Sequence, residues 1–234
     1  MKRKYELTED RKTLDSGVVL HRIRAVRNFT LSGGTKIEAG RLGGWLECED
    51  NLSHDGSAWV DGEAEVHGWA RVYDDALVFG NARIRCGACV YGSAKVYGLA
   101  KVYDTATVCG QTWISGLAKI YGNAQVFGNA DVYGSAWVCG KAQVCGEAKI
   151  GDRALVKDLC DYAVFKNEWS SGRWFTYTRS DRMWRVGCFH GTGEELIAKA
   201  YKHSKLSGRC YEAIVRAQEA IDKVVEPKSN KEVK

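Results

Sequence analysis

The chain has almost no proline: Pro227 alone among 234 residues. That excludes a proline-rich linker, and nearly every backbone amide keeps its hydrogen-bond donor. No apolar run approaches 18 residues, so no segment reads as a membrane-spanning helix. Met1-Lys2-Arg3-Lys4 leads into Tyr5-Glu6-Leu7-Thr8-Glu9 rather than an apolar stretch, so no secretory leader is expected and a cytoplasmic location is. Cysteine is not scarce, but its nine copies contain only one C-x-x-C, Cys86 to Cys89. A structural zinc site would use a second pair, so reduced thiols and no metal are expected. Histidine is sparse, at positions 21, 54, 67, 190 and 203. No phosphate-loop or G-x-S-x-G signature is present.

What the chain does have is a strict period. Seventeen consecutive hexads run from Gly56 to Lys157 without an insertion, as in Gly92-Ser-Ala94-Lys-Val96-Tyr97. The third position is Ala except at Thr112, and the fifth is Val except at Ile84, Ile114, Ile120 and Ile150. The first is Gly, save for Asp74, Cys86, Asp104 and Asp152. Alternation of period two predicts short half-buried strands. A residue suited to φ > 0 every six positions predicts sharp corners. Strand and corner at fixed spacing wind a solenoid, with positions three and five facing its axis and positions two, four and six facing solvent. Small Ala beside Val suits a triangular coil of three hexads, so residues 18 apart should stack. Seventeen hexads make nearly six coils, a shaft about 27 Å long at the interstrand spacing.

This repeat resembles the hexapeptide-repeat, left-handed β-helix family. The flanks, Leu42-Gly43-Gly44-Trp45 with Asn51-Leu52-Ser53-His54 and Gly191-Thr192-Gly193-Glu194-Glu195-Leu196, resemble a narrower group: phage- and prophage-encoded repeat proteins labelled as transferases or polymer-forming proteins. The resemblance implies a mainly β, single-stranded, left-handed solenoid of about six coils, assembled as a homotrimer. It also raises two enzyme readings. A zinc carbonic anhydrase needs three converging histidines, and the solenoid supplies His67 alone with His54 just upstream, so that reading is rejected. A trimeric acyltransferase would need a histidine base, for which His67 is the one solenoid candidate, and the repeats lack the loop excursion that usually closes over substrate.

The flanks divide the chain further. Residues 1–43 are expected to form an N-terminal β cap, with short strands at Val18–Leu20, Ile23–Val26, Phe29–Leu31 and Leu42–Leu46, covering the first coil. The solenoid then spans 44–163. Residues 164–226 read as a small α+β module: a hairpin of 174–178 with 183–186, then two helices, the first opened by a Thr192/Glu195 capping box and closed at Ser207-Gly208. Residues 227–234 read as a disordered tail. Charge is uneven, net +4 over 1–27 and +5 over 170–234, leaving a weakly acidic shaft at −4.

The solenoid register also predicts a surface. Gly98-Leu-Ala-Lys-Val-Tyr103 and Gly116-Leu-Ala-Lys-Ile-Tyr121 are near copies one coil apart. They should stack Leu99 on Leu117, Lys101 on Lys119 and Tyr103 on Tyr121, with Arg83 and Arg85 on one side and Trp137 on the other. An exposed apolar and aromatic patch edged by cations suits a subunit interface. It also suits an anionic or nucleotide ligand, or a plain ladder of outward aromatics. In the C-terminal module Trp174, Trp184, Arg179, Arg182 and Arg185 have the composition of a binding surface. The favoured functional expectation is a non-enzymatic interaction or scaffold protein, phage- or prophage-encoded and acting in the host cytoplasm, that binds itself and a protein partner without a cofactor. An acyltransferase, and an inhibitor of host antiphage defence that binds a host protein or sequesters a signalling nucleotide, are the alternatives.

Overall fold

The computed structural model describes residues 3–225, which divide into two compact units, one ending at Asp161 and one starting at Tyr162. The tail at 227–234 lies outside the described residues.

In the first unit each of the seventeen hexads contributes one two-residue strand, β6 (Trp59–Val60) through β22 (Leu155–Val156). Three parallel sheets form the three sides of the coil, and each residue pairs with the one 18 positions on, as Lys101 with Lys119. Every first position of every hexad has φ between 54° and 76°, the four non-glycines included. Two demands meet there. An added Cβ at Gly116 would come within 2.8 Å of the Gly134 carbonyl oxygen stacked above it, and the backbone itself sits in the left-handed region. The aspartates answer in another way, since Asp74 and Asp104 each accept the backbone N–H of the corner one coil further on, Gly92 at 3.2 Å and Gly122 at 3.0 Å. Aspartate tolerates this conformation better than most residues.

The axis is filled as the alternation requires. Every third-position Ala and fifth-position Val or Ile of the hexads is at most 1% exposed. Thr112 is buried too, and its hydroxyl has no hydrogen-bond partner among the described residues. The outward rule fails at four positions, one of them Gly151, which the Tyr133 ring covers. Trp59 is buried under Phe29, whose ring meets it edge-on at 5.4 Å. Glu65 is buried by Lys12 and Arg83, and Cys139 is buried beside Tyr121.

The N-terminal strands are β1 (Tyr5–Thr13), β2 (Val19–Ala25), β3 (Phe29–Thr30), β4 (Lys36–Ile37) and β5 (Leu42–Leu46). β1 and β2 join antiparallel, and β5 passes the sheet on to the parallel ladder by pairing Trp45 with Glu65. The result is one nine-stranded sheet in the order β1-β2-β5-β7-β10-β13-β16-β19-β22. β1 was not expected, because Thr8-Glu9-Asp10-Arg11-Lys12 shows no apolar alternation; it is an edge strand with one wet side. At its start Lys4 is fully buried, and its ammonium donates to the carbonyl oxygens of Ala58 at 2.8 Å and of Asp55 and Gly56 at 3.4 Å.

The second unit holds a four-stranded antiparallel sheet, β23 (Tyr162–Lys166), β24 (Trp174–Thr178), β25 (Met183–Val186) and β26 (Phe189–Gly191), followed by α1 (Gly193–His203) and α2 (Lys205–Val225). The expected hairpin is β24–β25, with Tyr177 opposite Trp184. The Thr192/Glu195 capping box opens α1. The helix break differs from expectation. Ser204 ends α1 with its N–H on the Ala200 carbonyl, while its hydroxyl takes the Ser207 N–H and its carbonyl the Gly208 N–H, which starts α2. Ser207-Gly208 therefore lies inside α2, and Gly208 is needed because an added Cβ would lie 2.3 Å from the Tyr201 ring.

Candidate functional site

Three columns of outward side chains run along the side built on the nine-stranded sheet. The middle column is Trp45, Glu65, Arg83, Lys101, Lys119, Trp137 and Leu155, successive partners in the parallel ladder. On one flank Leu99 and Leu117 are each 53% exposed. On the other, Tyr103 stacks on Tyr121 with ring centroids 5.0 Å apart and planes within 1°. Lys101 stands on Lys119, and Tyr103 on Tyr121, as the register requires. Because neighbouring coils are separated by about 4.8 Å, parallel rings one coil apart fall at stacking distance without any adjustment. The same ladder recurs at Tyr73–Tyr91, 4.7 Å, and Phe79–Tyr97, 4.9 Å, on the other two sides.

The cations are held over rings. Arg85 lies 4.8 Å from the centre of the Tyr103 ring, and Lys119 lies 4.3 Å from that of Trp137. Tyr121 meets Trp137 edge-on at 6.3 Å. Its phenol is pushed up to about 12, first by a hydrogen bond with Cys139 and then by burial. Burial also raises the Tyr103 phenol. Both rings are therefore neutral donors at any ordinary pH.

A groove of about 590 Å³ opens along this side. Its walls include Leu99, Leu117, Lys101, Lys119 and Trp137, with Asn81 and Ser135 before and after the leucine pair in its column. Lys12, Glu63, Glu65 and Arg83 close its N-terminal end. There the charges are satisfied. Glu65 bridges Lys12 at 2.9 Å and Arg83 at 3.1 Å. Glu63 accepts from Arg22 at 2.7 Å and from the Trp45 indole at 2.9 Å, and the Arg22 bond holds its carboxyl below the usual range. Glu65 stands 18 residues before Arg83 in the same column, so the sequence register places the pair together. Lys12 was not legible, because β1 carried no strand pattern.

His67 stands at the end of β7 in the flank column below Arg85, half-buried. Burial lowers its pKa, opposed by Glu47 and Glu65 and assisted by Arg85 and Arg83. Cys86 and Cys89 form no disulfide; Cys86 is exposed and occupies a corner with φ +60°. Among the described residues no group of three or more His, Cys, Asp or Glu is placed to hold a metal, and no helix is long and apolar enough to cross a membrane.

The C-terminal candidates separate by burial. Trp184 is 2% exposed and belongs to the unit's core with Phe175, Tyr177, Leu196 and Val215. Arg185 is equally buried and donates to the Thr178 hydroxyl at 3.2 Å. Arg179 binds Asp222 at 3.2 Å; that buried carboxylate also accepts from Gln218 at 2.9 Å and from the Tyr177 hydroxyl. Trp174 and Arg182 remain at the surface, Trp174 at 40% exposure.

A family model described as YdcK beta solenoid repeat matches residues 70–85 and 124–140, both inside the hexad array. No curated protein matches the chain significantly. The matched repeats lie within the ladder of pairs 18 residues apart, and the chain is folded as a β-solenoid.

Proposed function

We propose that this protein is a non-enzymatic β-solenoid scaffold of phage or prophage origin, whose shaft associates with copies of itself as a homotrimer and whose C-terminal unit engages a protein partner. The observation that carries the reading is the pair Leu99 and Leu117, each 53% exposed beside Tyr121 and Trp137 on a flat sheet. Exposed leucines aligned with aromatics and edged by cations are an interface composition. A solenoid of nearly identical coils offers little to distinguish one partner from another. Specificity is therefore assigned to the second unit, where Trp174 and Arg182 are exposed above a packed core.

Sedimentation or light scattering tests the assembly. The wild type is expected to run as a trimer at micromolar concentration, and Leu99→Glu/Leu117→Glu as a monomer with an unchanged circular dichroism spectrum. Both substitutions lie on the wet face, so they leave the core intact. A wild-type monomer at that concentration rejects the reading.

A further inference from the structure

The charge balance of the groove on the nine-stranded sheet is asymmetric along its length. At the N-terminal end both carboxylates are engaged, Glu65 by Lys12 and Arg83 and Glu63 by Arg22. One coil further on no carboxylate lines the groove. Among the described residues no carboxylate pairs with Arg85, Lys101 or Lys119; Arg85 and Lys119 rest on the Tyr103 and Trp137 rings instead. Lys101 and Lys119 are ladder partners, as are Arg83 and Lys101. Beyond the neutralised Arg83, two like charges without a carboxylate thus stand in one column, about 4.8 Å apart, where each raises the energy of the other. A solenoid can put a neutral residue at an outward position without changing its fold, since these side chains leave the core untouched.

We propose that this stretch of the groove is a binding site for a small phosphate-bearing polyanion, one that carries at least two phosphates. A phosphate presents three acceptor oxygens on one atom with a charge near −2, so cations on adjacent coils can converge on it. The ammonium groups of Lys101 and Lys119 serve as point charges, and Arg83, whose Nε is held by Glu65, borders them at the N-terminal end of the groove. A single carboxylate, with one charge, would leave one of the two unpaired groove lysines uncompensated. The groove volume of about 590 Å³ suits a ligand of this size rather than a bare ion. Leu99, Leu117 and the edge of Trp137 offer an apolar wall to whatever body the phosphates carry. The site lies on the same side as the scaffold reading and rests on that side being the working surface, but not on which copy or partner covers it.

Titration calorimetry with inorganic pyrophosphate, ATP and citrate tests this on the full chain at low salt, where exposed charges are least screened. Pyrophosphate and ATP are expected to bind and citrate to bind more weakly. Lys101→Gln/Lys119→Gln should weaken ATP binding at least tenfold, while Lys95→Gln, on another side of the shaft over Trp113, leaves it unchanged. Sedimentation of the same samples separates the two readings: loss of ATP binding with assembly intact supports the site, and loss of assembly in Leu99→Glu/Leu117→Glu is scored independently. The proposal is overturned if neither phosphate compound binds at about 1 mM and low salt, if the double variant binds as the wild type does, or if Lys95→Gln loses as much. Binding of a polyglutamate peptide in place of the phosphate compounds overturns it too, in favour of an acidic protein segment.

Discussion

Asp104 accepts the backbone N–H of Gly122 at 3.0 Å, joining the corner of one coil to the corner of the next, while its own φ is +58°. The bond explains why a residue with a Cβ is tolerated where thirteen of the seventeen hexads have glycine. It yields a ranked prediction. Asp104→Ala keeps the unfavourable conformation and loses the bond, costing about 2 kcal/mol. Asp104→Gly loses the bond but relieves the backbone, so its cost is well under half of that. Chemical denaturation of the two variants checks the order; an alanine variant as stable as the glycine one contradicts it.

Thr112 interrupts the alanine column with a buried hydroxyl that lacks a partner among the described residues. Replacing it with the isosteric valine removes an unsatisfied polar group and leaves the volume unchanged. Thr112→Val is expected to stabilise the shaft by about 1 kcal/mol. A lower denaturation midpoint for this variant would show that the hydroxyl is satisfied in solution.

Lys4 gives a pH dependence with a defined sign. Burial lowers its pKa from 10.5 to about 8, with Arg27 acting in the same direction. The folded state therefore releases its proton at lower pH than the unfolded chain does. Between pH 8 and 10.5 the unfolded chain binds more protons, so the stability this group contributes rises with pH through that window and is lowest below it. Lys4→Met removes the donor to the Ala58 carbonyl and is expected to cost about 1–3 kcal/mol. The stability gap between wild type and variant should widen as pH is raised through the window. A gap that stays level or narrows would mean the ammonium, held by three carbonyls, stays charged through the window.

The stacking at the candidate site was legible because the shaft is one-dimensional. Once each hexad is known to turn the chain through one side of a triangle, every residue lies over the residue 18 before it, and Lys101 must meet Lys119. The burial of Trp184 and Arg185 was not legible in the same way. Their segment has no repeat, so whether a ring near a hairpin points into a core or toward solvent depends on helices that follow it in the chain. The break at Ser204 escaped for a related reason. Ser207-Gly208 is a helix-stop signal by composition, but the close approach of the Tyr201 ring makes glycine the residue that fits inside α2.

The sequence by itself determined the coil: its period, its corners, its axis of Ala and Val, and the order of the side chains along each outward column. Those follow from nearest-neighbour rules, the two-residue alternation of a strand and the left-handed backbone that glycine or aspartate accepts. Only the tertiary structure decided which outward positions are covered and which charges are cancelled. β1 carries Lys12 to Glu65 across more than fifty residues of sequence, and that contact separates a neutralised end of the groove from the end where Lys101 and Lys119 stand without a carboxylate. Such a pairing depends on where a non-repeating strand lands on the sheet, which no local pattern specifies.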